Sequence, residues 1–217
     1  MKVRPRRRRA VLVLALGLAW GACAGEARAE GGPGDGVYGR YEAPFLLALG
    51  AGGGSTWVDG TAEASMVAEL RLRHVAAAGP FVAGRWAPDG GSHVVLGVEV
   101  LPLFPMLFLE NLFTGRERLD RTIQSLGLEL GAALLPVGEE AGLGLAVGAG
   151  AEVPLVLPSQ WAQGVWLRLA FRYVHAPARW QAGPAGDASE WTALATLVVQ
   201  LPVGAGDVLV EAPRDRR

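Results

Sequence analysis

The chain has 217 residues, 51% of them hydrophobic, with 31 glycines, one cysteine and a formal net charge of −1. That charge averages over unlike parts. Lys2, Arg4, Arg6, Arg7, Arg8, Arg9 and Arg28 are 7 of the 20 basic residues and Glu26 is 1 of the 21 acidic ones, so from Glu30 onward 13 basic residues meet 20 acidic ones, a net of −7. Such a balance offers no basic face to nucleic acid. With Cys23 as the only cysteine, the folded part has no disulfide of its own and depends on burial and hydrogen bonding.

The first 29 residues read as a secretory signal. A basic stretch at 2–9 precedes an apolar run from Ala10 to Trp20, and small residues follow. The run is too short for a membrane-spanning helix, which needs about 20 apolar residues. Ala22-Cys23-Ala24 and Ala27-Arg28-Ala29 both suit a signal peptidase, with cleavage after 24 or after 29. Cys23 also allows a lipid-anchored reading, although Trp20 stands where such a site prefers an aliphatic residue. A Gly-rich spacer at 30–42 precedes the folded region, expected at 43–203, and a tail follows at 204–217.

Eight strands are predicted in that region. They run over about Phe45–Val58, Ala62–Val75, Phe81–Trp86, His93–Leu103, Ser125–Leu135, Leu143–Leu157, Val165–Val174 and Trp191–Val203. The second has the clearest grammar. Ala62, Ala64, Met66, Ala68, Leu70 and Leu72 alternate with Glu63, Ser65, Glu69, Arg71 and Arg73, and a strand sends successive side chains to opposite faces. Most runs reach the 9–11 or so residues that carry a tilted strand across a bilayer. Turn-forming residues such as Val58-Asp59-Gly60, Pro88-Asp89-Gly90-Gly91, Pro136-Val137-Gly138 and Pro158-Ser159 separate them. Short strands at regular spacing make the chain all-β, a sandwich or barrel.

Alternation alone does not say which face is inside. A soluble, ligand-binding barrel would place the apolar face inward. Three features favour the reverse. The apolar faces are long and continuous; the other faces carry too few charges for a water-exposed surface; and glycines flank the charges, as a crowded lumen requires. An eight-stranded barrel is just wide enough for side chains to fill it. Glu63, Glu69, Glu99, Glu129 and Glu152 would then meet Arg71, Arg73, Arg168 and Arg172 inside, a nearly balanced set that is tolerable if paired. Phe45, Trp57, Trp86, Tyr173 and Trp191 fall near strand ends, where aromatic belts anchor membrane barrels.

Over Phe45 to Val203 the pattern resembles the small eight-stranded outer-membrane β-barrel proteins. The resemblance implies an antiparallel up-and-down transmembrane barrel, apolar face outward, in the outer membrane of a Gram-negative envelope. One departure is plain: such proteins commonly end their last strand on an aromatic residue used by the assembly machinery, and here Val203 is followed by a tail without one.

The segment Pro102–Asp120 breaks the alternation. Pro105 suits a helix start and Gly115 a stop, with Met106, Leu109, Leu112 and Phe113 on one face, so a short interfacial helix near 105–114 is expected. A strand continuing through Phe104, Met106 and Phe108 is the rival. With both chain ends in the periplasm, this long connection falls on the side that usually carries short turns, so it is an unusual insert or the strand count is off by one. The connection His175–Glu190 lies on the other side and is the better contact loop.

Little points to chemistry. His74, His93 and His175 have no metal-motif spacing, Ser92-His93 is the only adjacent Ser–His pair, and Gly50-Ala51-Gly52-Gly53-Gly54-Ser55 lacks the lysine and helix of a phosphate loop. Gly142–Gly150 reads the same way. The expectation is a non-enzymatic barrel without cofactor, metal or catalytic residues, monomeric, in contact with outer-membrane lipid, with protein partners unspecified. A secreted or lipid-anchored soluble barrel binding an apolar ligand, and a membrane-embedded lipid-modifying enzyme, are the alternatives.

Overall fold

A computed structural model describes residues 45–74, 76–88, 92–109, 114, 116–135, 142–156, 164–180 and 187–203. The signal peptide, Cys23, the spacer, the C-terminal tail and the Pro136 and Pro158 turns lie outside the described residues. Eight strands follow one another: β1 Phe45–Val58, β2 Thr61–His74, β3 Ala78–Trp86, β4 His93–Val100, β5 Gly127–Leu135, β6 Gly142–Val156, β7 Val165–Ala176 and β8 Ala188–Val203. Each pairs antiparallel with its neighbours in sequence, and β8 closes on β1 over the whole of β1, from Phe45↔Val203 to Val58↔Glu190. Closure leaves no strand edge, which is how a barrel pairs its backbone polar groups without water.

The tightest connection is the β1–β2 turn. Asp59 and Gly60 both take positive φ, 48° and 78°, the geometry that a two-residue hairpin needs to match strand twist and that Asp-Gly supplies at little cost. At the β6–β7 pairing the register shifts between Pro154 and Val156, as expected where proline cannot donate to the ladder.

The wall faces the way a membrane barrel requires. Leu128 and Leu130 are each 59% exposed and Leu143 50%, while Glu99 and Arg168 are 0% and Glu129 4% exposed. The reverse orientation, required of a soluble ligand-binding barrel, is not found. An apolar exterior this continuous is far beyond the patches that soluble monomers expose.

One difference from expectation concerns the segment between β4 and β5. It holds two helices, α1 Leu103–Leu109 and α2 Glu117–Gln124, where one was expected at 105–114. Pro105 sits inside the first turn of α1, where its missing N–H has no acceptor to lose. Leu112 and Phe113 fall outside the described residues, Phe104 is buried and Met106 exposed. The strand count is eight, so the connection is an insert at the end of the barrel where β1 begins and β8 ends. Its α2 packs on β6 and buries Val153, which strand alternation assigns to the outer face. Ser125 makes the join. Its hydroxyl accepts the Glu152 N–H at 2.7 Å and lies 2.9 Å from the Glu152 carbonyl, tying the chain to β6 two residues before β5 begins.

A closed charge network in the barrel lumen

The register decides which inward side chains meet. Glu99 of β4 and Glu129 of β5 are directly opposite, a like-charged pair that is unfavourable alone. Arg71 of β2 and Arg168 of β7 reach across the lumen to bridge them. Arg71 donates to Glu69 at 2.7 Å and to Glu129 at 2.8 Å, and its other terminal nitrogen lies 3.1 Å from Glu99. Arg168 donates to Glu129 at 2.7 Å and to Glu152 at 3.0 Å, and stands 2.7 Å from Glu99 and 3.6 Å from Glu69. It therefore faces all four glutamates.

The remaining two arginines extend the set towards either end. Arg73 donates to Glu99 at 2.8 Å and takes Glu152 in a two-nitrogen fork, one arm at 2.9 Å. Arg172 places both Nε and Nη2 on Glu129, at 2.9 and 2.7 Å. Neutral donors complete the carboxylates: Thr196 reaches Glu69 at 3.1 Å and Gln200 reaches Glu152 at 2.6 Å. Arg71 and Arg172 also lie over the Phe81 ring, 4.9 and 5.5 Å from its centre. Four glutamates and four arginines thus close on one another, all buried.

Small residues make this possible. A Cβ at Gly150 would lie 2.8 Å from Arg168 Nη2, and one at Gly50 would lie 2.9 Å from Glu69 Cγ. Gly50, Gly127, Gly148 and Gly150 leave room for charged side chains, whereas Gly52, Gly54, Gly97 and Gly131 stand against the backbone of the neighbouring strand.

Glu63 is the predicted lumen residue that the structure leaves out of the network. It sits six residues from Glu69 towards the far mouth and is only half-buried. A second polar group that sequence reading missed lies at that mouth. Arg85 donates to Glu190 at 2.9 Å, to Thr56 at 3.3 Å and to His93 Nδ1 at 3.2 Å, and Thr56 also bonds Ser65 and Thr192. His93 is thereby turned into the lumen. Between the two polar groups lies an apolar layer of Phe81, Ala83, Val95, Ala133, Ala146 and Val174; towards the other end Ala48, Trp166 and Val198 form a further one. Among the described residues the lumen thus alternates buried polar groups with apolar layers.

Trp57, Trp86, Tyr173 and Trp191 lie on the outer wall at the far end, and Phe45 at the end with the chain termini, 5.2 Å from His74. Trp191 pairs across strands with both Trp57 and Tyr173, its ring 4.3 Å from that of Tyr173 and 5.1 Å from that of Phe171. Next to them Ser189 Oγ lies 2.9 Å from His175 Nδ1 and accepts from Tyr173 at 3.1 Å. No periodicity signals this trio, because the two strands meet only through their register. Among the described residues no group of His, Cys, Asp and Glu is arranged to hold a metal ion.

A closed eight-stranded antiparallel barrel with a lipid-type exterior and a charge-filled lumen is the architecture of the small outer-membrane barrels. No family model and no curated protein matches the chain. Among solved structures it is similar to the outer membrane protein OprG from Pseudomonas aeruginosa, at 9% identity and a TM-score of 0.37, covering 75% of this chain and 98% of that one. So distant a likeness says nothing about role.

Proposed function

We propose that the chain is exported and inserted as a monomeric outer-membrane barrel. Its job is structural, or contact through the loops at the far mouth, and it performs no chemistry. The observation that supports this is the lumen, where four carboxylates and four guanidinium groups cancel one another and apolar layers seal both sides. A conducting or transporting barrel needs a wet path; a packed interior of this kind favours rigidity instead. Both chain ends then lie in the periplasm, the helical insert lies beneath the barrel on that side, and the wall meets outer-membrane lipid. The net acidic balance argues against nucleic acid as a partner.

Fractionation with gel migration of boiled and unboiled protein tests the address: a heat-dependent shift in the outer-membrane fraction is expected, and recovery as a soluble periplasmic protein with no shift overturns it. Planar-bilayer recording tests the sealed lumen. Steady conductance steps from the purified protein would refute it.

One observation favours a second reading, lipid hydrolysis at the wall. Ser189 and His175 are within hydrogen-bond distance on the lipid-facing side. The pair lacks a third member, since no acid among the described residues bonds His175. Release of fatty acid from phospholipid vesicles, abolished by Ser189→Ala, would establish this reading over the first.

A further inference from the structure

The aromatic belt at the far end has a gap. β1, β3, β7 and β8 each carry an aromatic residue there, whereas β2, β4, β5 and β6 carry none along their length, and of these β5 and β6 lie side by side. The gap is covered from elsewhere. The β7–β8 connection makes one helical turn, Ala178–Trp180, held by Asp187, which accepts the Ala178 N–H at 2.7 Å. The turn lays Trp180 over the outer wall of β5 and β6. Beneath it runs a groove of about 430 Å³, walled by Leu130 and Ala132 of β5 and by Leu143 and Leu145 of β6. Ala132 opposes Leu145 in the register, so a missing side chain on one strand creates the depth.

A cation lies beside the residue that roofs the groove. Arg179 is exposed, with its guanidinium 5.6 Å from the centre of the Trp180 ring. Among the described residues no carboxylate pairs with it, and Asp187 is engaged on the backbone of the turn. An apolar slot in the lipid-facing wall, roofed by an indole whose neighbour is an exposed arginine with no carboxylate partner among the described residues, has the two halves of a lipid site. The slot takes an acyl chain. The guanidinium takes a phosphate oxygen pair, the geometry it recognises best.

We infer that the groove beneath Trp180 is a specific site for a phosphorylated lipid of the outer leaflet, with an acyl chain along β5–β6 and the phosphate on Arg179. The inference rests on the membrane reading above and on the topology that places the far mouth outside. That topology selects the source: the lipid that presents phosphate on the outer leaflet of this membrane is lipid A rather than a glycerophospholipid.

The test uses the full-length barrel purified in mild detergent and native mass spectrometry with lipid A, phosphatidylglycerol or phosphatidylcholine titrated in. The expected result is saturable one-to-one retention of lipid A above the other two. Arg179→Gln is expected to weaken it about fivefold, the order of one basic residue at an anionic surface. Ala132→Phe, which fills the slot from the lipid side, is expected to remove the saturable component. Equal retention of all three lipids, or undiminished lipid A binding by Ala132→Phe, overturns the inference. Each variant is first checked for the heat-dependent gel shift. A barrel that shifts normally and holds no lipid A sinks the site while leaving the membrane reading intact; a wild-type protein with no shift sinks both.

Discussion

The two polar groups in the lumen use the same residue types and obey different rules. In the central network every charge except Arg172, which has Glu129 alone, meets at least two of opposite sign; Arg168 faces four carboxylates and Glu129 receives three arginines. At the mouth, Arg85 has a single carboxylate partner, Glu190, which retains some contact with solvent, and the rest of the cluster is hydroxyls and a histidine. Depth explains the contrast. A charge that water can still reach needs only one partner, whereas a fully buried one must have its whole field cancelled by protein. The apolar layer between them keeps each group on its own terms.

That contrast is broken most severely at its hub. Arg168→Met leaves four carboxylates facing three arginines without water, and should cost about 3–5 kcal/mol, the range for an uncompensated buried charge. Urea unfolding from lipid vesicles measures it. A loss below about 1 kcal/mol would mean that water enters the centre, and the filled-lumen description would fail. Next in size is the outer wall. Leu130→Arg puts a charge on the lipid side near the middle of β5, and should cost about 2–4 kcal/mol in the same assay. An unchanged stability there would place Leu130 against protein or water instead of lipid.

These sites differ in how readable they were. The wall and the central network follow from a period of two, because burial on one face imposes that period on every strand. Glu69, Arg71, Arg73, Glu99, Glu129, Glu152, Arg168 and Arg172 are found by parity alone. Height along the barrel is another matter. Glu63 has the right parity, but stagger between strands lifts it above the network. Arg85, His93, Glu190 and Thr56 come from four strand ends that only closure brings together. The helix α2 was invisible for a different reason: its buried face is Asp120 and Gln124, so no apolar stripe marks it. β3 was predicted from Phe81, three residues short of its start at Ala78, because Gly79 and Pro80 interrupt its pattern there.

Glycine supplies a third, smaller effect. Gly150→Val would set a side chain 2.8 Å from Arg168 and 3.1 Å from the Leu169 carbonyl. Overpacking of this kind should cost about 1–3 kcal/mol. Combining it with Arg168→Met sharpens the comparison. If the glycine exists to admit that guanidinium, the two losses are less than additive, because the larger truncation already frees the space. Full additivity would assign Gly150 to backbone packing instead.

The smallest effect is expected at the mouth, and it is the one that most directly tests whether depth is the cause. Glu190→Gln keeps the shape and a hydrogen-bond acceptor for Arg85 while removing the charge. At the centre such a change would strand an arginine. At the mouth solvent can take over part of the lost interaction, and Thr56 and His93 still hold the guanidinium in place. The expected loss is about 1 kcal/mol, the scale of one hydrogen bond. It should also shrink as salt is raised, since a charge in contact with solvent is screened, whereas the loss from Arg168→Met should hardly change. Urea unfolding of both variants at low and high salt makes the comparison. Equal salt dependence would show that the two groups share one environment, and the apolar layer between them would then not be separating them electrostatically.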